Sequence, residues 1–349
     1  MRSFTRKLRA VVVCGAMLGL GLSALQPVAA IATTDDPDLG HLMRTVQQQP
    51  MTAFASGAQP PMTYQNAGAP IQAHTTVYLV FWGKQWNIGW TDPGTQYTNV
   101  TARNYITSFS QYVSASGWPG QAVSQYCSGV AAGTVNCGGS GVHVGVPITF
   151  GGVWTDLTST PPTPYVPDGC VNAMVCVSGF AKPANLLAKE ALRAQTHFLG
   201  NGYDPGAQYI IMLPKEATTA GLYCAYHNSV ADTQGRDVAY VNMPYTPNLQ
   251  AFGASLCGEN FVNASSNSFG NGYFDGYSMI LAHEIAEAMT DPLPTKNSAW
   301  RDQAGEENGD MCAWLPPGTA GGAHNIGPDA GGHVYAVQTL WSNTANDCV

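Results

Sequence analysis

The stretch "MILAHEIAEAMTDP", residues 279–292, decides how this chain is read. It sets His283, Glu284 and Glu287 in an H-E-x-x-E array. Ile280, Leu281, Ile285, Ala288 and Met289 form an apolar stripe around them, so the spacing predicts a helix. Asp275 is placed to cap its start, and Pro292 and Pro294 forbid its continuation past about Thr290. Residues four apart on a helix share a face. His283 and Glu287 therefore point the same way, and imidazole nitrogen and carboxylate oxygen both bind zinc at about 2.0–2.2 Å. Glu284 is rotated about 100° from His283. A histidine in place of Glu287 would complete H-E-x-x-H, in which the intervening glutamate takes a proton from the water that the metal activates. Ligand, base, ligand is thus the order here, and only the chemical type of the second ligand departs from the motif.

A catalytic zinc takes three protein ligands and keeps one open position. "GEENGD", residues 305–310, offers Glu306, Glu307 and Asp310 soon after the helix. Glu307 is expected as third ligand and Asp310 as the group that orients His283, or the two exchanged. Asp291 continues the same stripe, but its place before Pro292 favours a turn residue. One histidine and two carboxylates neutralise zinc, and such a set would also suit calcium or manganese. The plainer alternative is a core helix whose His283 and Glu287 bond each other under a loop.

Other residues enter as candidates. His227 in "YCAYHN" could donate to a substrate oxyanion, or be a satisfied structural histidine beside Cys224. His324 and His333 lie downstream, where a transition-state histidine could sit. There is no G-x-S-x-G elbow and no cysteine-nucleophile context, which argues against serine and cysteine hydrolases. Trp82, Trp86, Trp90, Trp118 and Trp154 could stack on sugars or fill a core.

The remainder of the chain sets the compartment. Arg2, Arg6, Lys7 and Arg9 precede an apolar run and a small-residue site at Ala30, the pattern of a signal peptide over 1–30. Those four are among 14 basic residues, leaving ten against 22 acids and a formal charge of −12 for the mature chain. Nucleic acid and anionic membranes are poor partners for such a surface. Cys127, Cys137, Cys170, Cys176, Cys224, Cys257, Cys312 and Cys348 follow the signal, an even set expected to pair as sequence neighbours: 127–137, 170–176, 224–257 and 312–348. Residues 31–62 are polar and Pro-punctuated, read as a linker or pro-segment. Strands are expected at 74–83, 146–150, 207–213, 236–245 and 333–341, with helices over 97–118 and from Pro183 to Gly200. The order implies one α/β domain with a mixed sheet over 63–349.

"MTYQNAGAPIQAHTTVYLVFWGKQW" (62–86), "YCAYHN", "DGYSMILAHEIAEAMTDP" with "SAWRD", "EENGDMC" and the closing "VYAVQTLWSN" resemble the EXORDIUM, or phosphate-induced protein 1, family and its bacterial secreted relatives. The resemblance spans most of 62–349. It implies a disulfide-containing protein of the cell wall or extracellular space. The helix also looks like the active-site helix of thermolysin-type zinc peptidases, with Glu287 where that family has histidine. This implies a zincin-like α/β (α+β) fold: a mixed twisted sheet, an active-site helix and Gly-rich, disulfide-stapled loops. "VAYVNMPY" would then be the sheet edge that pairs a peptide. The expectation is a monomeric, secreted or periplasmic zinc metallopeptidase acting on peptide or cell-wall substrates. The alternative is a non-catalytic extracellular binding protein.

Overall fold

Six strands build the main sheet: β1 (His41–Arg44), β2 (Thr76–Trp82), β3 (Thr149–Asp156), β4 (Ala207–Met212), β5 (Tyr223–Ala231) and β6 (Asp237–Met243). Their spatial order is β1-β5-β6-β4-β2-β3. The structure is a computed structural model that describes residues 41–44, 59–163, 165, 170–172, 175–176, 186–217, 223–251 and 254–349. All of these lie in one compact unit, Thr33–Val349. The signal segment 1–30 and the Pro183 helix start lie outside the described residues.

Strands β3, β2, β4 and β6 run parallel, while β5 and β1 add an antiparallel flank. The parallel strands β2 (TVYLVFW) and β4 (AQYIIM) are nearly continuous apolar runs, as strands covered on both faces must be. Alternate residues serve two cores. Leu79, Phe81, Ile210 and Met212 face one, while Tyr78, Val80, Tyr209 and Ile211 face the other.

Helix α1 (Asn99–Ser116) begins at a capping box between Thr98 and Thr101 and ends at Gly117, whose φ of 77° needs glycine. Helix α2 (Leu186–Leu199) covers the second core with Leu187 and Ala191. Helix α3 (Asp275–Thr290) lies on the first, and all 16 of its residues are buried. It is enclosed by the sheet and by a layer containing Tyr105, Trp314, Tyr335 and Ala336. A helix apolar nearly all round must be buried all round, which carries its charged residues inside.

Several expectations need correction. Residues 41–44 fall within the segment read as a linker, yet they form β1; four residues are too few to show a period. Strand β5 escaped notice because "YCAYHNSVA" is punctuated by polar residues. Strand β6, expected at an edge, lies between β5 and β4. The 146–150 strand begins at Thr149, after Pro147, which has no N–H to give a ladder. The 333–341 strand is two pieces, Tyr335–Val337 and Trp341–Ser342, the first paired with His324–Ile326. Asp275 does not cap α3. Its carboxylate accepts backbone N–H groups of Val262, Asn263 and Gly272 and so ties the preceding loop together.

Disulfides join Cys127 to Cys137, Cys224 to Cys257 and Cys312 to Cys348, as neighbour pairing implies. The side chains of Cys170 and Cys176 lie outside the described residues. Among the described residues no helix is long and apolar enough to cross a membrane. Trp82 and Trp86 are buried core residues, and Trp86 donates to the Met212 carbonyl.

Candidate metal centre

Helix α3 delivers His283, Glu284 and Glu287 to one buried point. The acidic segment after it closes over that point. Asn308 Nδ2 donates to Thr290 Oγ1 at 3.0 Å, and the Asp310 N–H donates to Glu287 Oε1 at 3.1 Å. Gly309 fits between: a Cβ there would lie 2.6 Å from His283 Nδ1. Disulfide Cys312–Cys348 anchors the short 3₁₀ turn Asp310–Cys312 to the C-terminus.

Three ligand-type atoms converge here. His283 Nε2 lies 2.9 Å from Glu287 Oε1 and 3.6 Å from Asp310 Oδ1. Both approaches set carboxylate oxygens directly around His283 Nε2. Ligands on a tetrahedral zinc with bonds near 2.0–2.2 Å sit about 3.4 Å apart, which these spacings bracket.

The other face of the ring fixes its tautomer. His283 Nδ1 is 3.2 Å from Gln338 Oε1. Gln338 Nε2 donates to the Gly309 carbonyl at 2.7 Å, which sets the amide so that its oxygen faces the ring. Nδ1 therefore carries the proton, and the Nε2 lone pair points toward carboxylates. That arrangement calls for a proton or a cation between them. It is also how metal-bound histidines are held from behind.

The charge balance points the same way. Glu284, Glu287, Asp291, Glu307 and Asp310 are all buried. Arg301 faces two of them, at 3.2 Å from Asp291 Oδ2 and 3.5 Å from Glu307 Oε1. Carboxylates out of water need countercharge. Burial lowers the His283 pKa, but the charges of Glu287, Asp310 and Glu284 outweigh it and push it up to about 10. Burial raises Glu284 to about 7 despite its bond to His227. Burial likewise holds Glu307 well above the usual range, with Arg301 opposing.

His227 joins the site from β5. Its Nε2 donates to the Asp291 carbonyl at 3.1 Å, and its Nδ1 is 3.3 Å from Glu284 Oε2. Burial alone would lower its pKa; bonds to Glu284 and Glu287 raise it to about 9. His227, Glu287 and Glu307 also lie close enough together to hold an ion. Because both His227 nitrogens are engaged, the imidazolium itself supplies the positive charge at that position.

Of the expected residues, His227, His283, Glu284, Glu287, Glu307 and Asp310 therefore meet in one cluster. Asp310, rather than Glu307, stands beside His283. Glu307 faces Arg301 and His227. The group that orients His283 is Gln338, just past the strand Tyr335–Val337, which sequence reasoning missed because a lone glutamine carries no signal. Asp291 is the capping residue just past the helix, and its carboxylate accepts from Ser298 and the Ala299 N–H. His324 is exposed, and His333 stacks on Phe269 beside Asp329, so neither joins the site. No family model, no curated protein and no solved structure matches this chain.

Proposed function

We propose that this protein is a secreted metal-dependent hydrolase of the zincin-like kind, cutting peptide bonds with a zinc ion. The observation that carries this reading is the convergence of His283 Nε2, Glu287 Oε1 and Asp310 Oδ1, with Glu284 beside them. A nitrogen donor favours zinc over calcium, which takes oxygen ligands. Disulfides fit an oxidising compartment. When bound, zinc supplies Lewis acidity at this point.

The protein's own groups do the proton work. Glu284, raised to about 7, is matched to neutral pH as a general base. It takes a proton from the attacking water and passes it to the leaving amine. His227, held as an imidazolium, is the donor nearest Glu284 and would turn its Nδ1–H to the developing oxyanion.

Metal analysis of the purified mature chain tests the reading. About one zinc per chain is expected, lost in His283→Ala. Glu284→Gln should retain zinc and lose hydrolysis of a peptide mixture. A metal-free protein whose stability ignores chelator would sink the proposal.

The complete enclosure of these side chains favours a second reading. Here the ion is structural and the protein is a non-catalytic extracellular binder with cell-wall partners, in keeping with the EXORDIUM resemblance. Unfolding on chelation, with no hydrolysis of any peptide by the metal-loaded chain, would select it.

A further inference from the structure

We propose that the groove between helix α2 and the outer strand β3 binds an acidic polysaccharide, gripping a sugar ring that carries a carboxylate. The groove has a volume of about 570 Å³ and is lined by Trp154, Lys189, Leu192, Arg193, Thr196 and His197. That size falls within the usual range of ligand sites, roughly 300–1,000 Å³. Trp154 and Leu192 pack on the second core, so the groove lies on the face of the sheet opposite α3 and the metal centre. Lys189, Arg193 and His197 follow at four-residue steps and share one face of α2, while Leu187, Ala191 and Ala194 turn inward. Trp154 stands level with Val80 and points to the same side of the sheet. Its indole stacks on the His197 ring, with centroids 4.3 Å apart and planes 9° from parallel. The pair makes a flat wall with polar edges, the kind of surface on which the C–H face of a sugar ring packs.

Charge decides which sugar. No acid lines the groove, although the chain has 22 acids against 14 basic residues. Arg193 is fixed from below. Its Nη2 donates to Ser159 Oγ at 2.7 Å and to the Glu190 carboxylate, and its Nε is 3.5 Å from Asp156 Oδ2. Asp156 and Glu190 are buried, yet the Arg193 side chain stays 38% exposed. A planar fork of donors is thus held in a set direction beside the wall, suited to ring hydroxyls. Asp156 balances its charge. Glu190, pushed up to about 7 chiefly by burial, ionises only in part at neutral pH. Lys189 is exposed and enters no ion pair among the described residues, so it is the open charge of the groove. One open cation beside a flat wall matches one carboxylate on a ring. The dense charge of a nucleic acid backbone calls for many cations and meets repulsion from so acidic a chain.

The groove shares no residue with the metal centre, so binding here survives a failure of the hydrolase reading. It gives the extracellular-binder reading a site and a partner class. Full-length wild type, Lys189→Gln and Trp154→Ala are titrated calorimetrically in metal-free buffer. The probes are oligogalacturonide, oligomannuronate and oligoglucuronate, the methyl ester of each, and inorganic polyphosphate. At least one uronate should bind wild type, with its ester roughly tenfold weaker for want of one charge-assisted contact. Lys189→Gln should bind that uronate only as well as wild type binds the ester. Trp154→Ala should weaken both acid and ester by about the same factor, as loss of the stacking wall requires. Lys189→Gln alters only an exposed side chain and keeps the test valid should Trp154→Ala fail to fold. Three results would overturn the proposal: no uronate bound by wild type, ester or polyphosphate bound as tightly as the acid sugar, or wild-type affinity in Lys189→Gln.

Discussion

Gly309 lies against His283 so closely that a Cβ on it would stand 2.6 Å from the ring Nδ1 and 2.9 Å from Glu287 Oε1. Its φ is −75°, open to any residue, so glycine is required for space and not for backbone freedom. Gly309→Ala must push the ring off Gln338 or lift the 307–312 turn from the helix. A loss of about 1–3 kcal/mol is expected, typical of an overfilled interior. Zinc affinity should fall with it. Denaturant unfolding and zinc titration check both; wild-type values would show that the turn moves freely.

Gln338 is predicted to control the metal without touching it. Gln338→Leu removes the acceptor of the His283 Nδ1 proton and lets the ring rotate. Loss of such a backing group costs about 10- to 100-fold in affinity. Gln338→Glu keeps an acceptor and should recover much of it. Competition titration against a zinc chelator measures the series. Equal affinity in all three proteins would show that the ring is held by packing alone.

These two residues also mark what the sequence could tell. The apolar spacing around H-E-x-x-E specifies a helix, and the four-residue separation of His283 and Glu287 puts both on one face of it. The nearby acids of "GEENGD" were legible as partners because charge clusters stand out. Gln338 was not, since its role comes from one carbonyl, that of Gly309, brought to it by tertiary folding. The choice of Asp310 over Glu307 depends on a turn whose direction is set by Asn308 and by disulfide Cys312–Cys348. The parallel strands β2 and β4 were visible as apolar runs. Strands β1 and β5 were not, because their pairing partner, not their composition, makes them strands.

The metal-free protein is expected to lose stability as pH rises. His227 and His283 have pKa values raised to about 9 and about 10, above the ordinary histidine value of 6.5. Each contributes stability that is complete below about pH 6.5 and is lost as pH climbs through its folded value. Glu284 adds the same sign lower down: raised to about 7, it resists ionisation in the fold, so stability drains between about pH 4.5 and 7. Chelator-treated protein should therefore unfold more readily at pH 9.5 than at pH 5.5. Zinc should reverse the trend, since its ligands bind deprotonated. Thermal unfolding across that range, with and without zinc, decides; a flat apo profile would show that the carboxylates do not raise the histidines.

The two disulfides nearest the chain's ends of the domain should behave differently. Cys312 ends the turn that begins at Asp310, and Cys348 belongs to the closing hairpin with Trp341. That hairpin also receives the turn through the Trp341 N–H, which donates to the Asn308 carbonyl at 2.9 Å. Replacing both cysteines by alanine opens a 36-residue loop, worth about 4 kcal/mol by chain entropy. Because the freed turn carries Asp310, zinc affinity should fall at least tenfold as well. The pair Cys127–Cys137 closes only 10 residues and carries no ligand, so its removal should cost about 3 kcal/mol and leave zinc affinity unchanged. Unfolding and zinc titration of both double variants separate the contributions. Equal loss of affinity in the two would mean that the site responds to global stability rather than to the hold on Asp310.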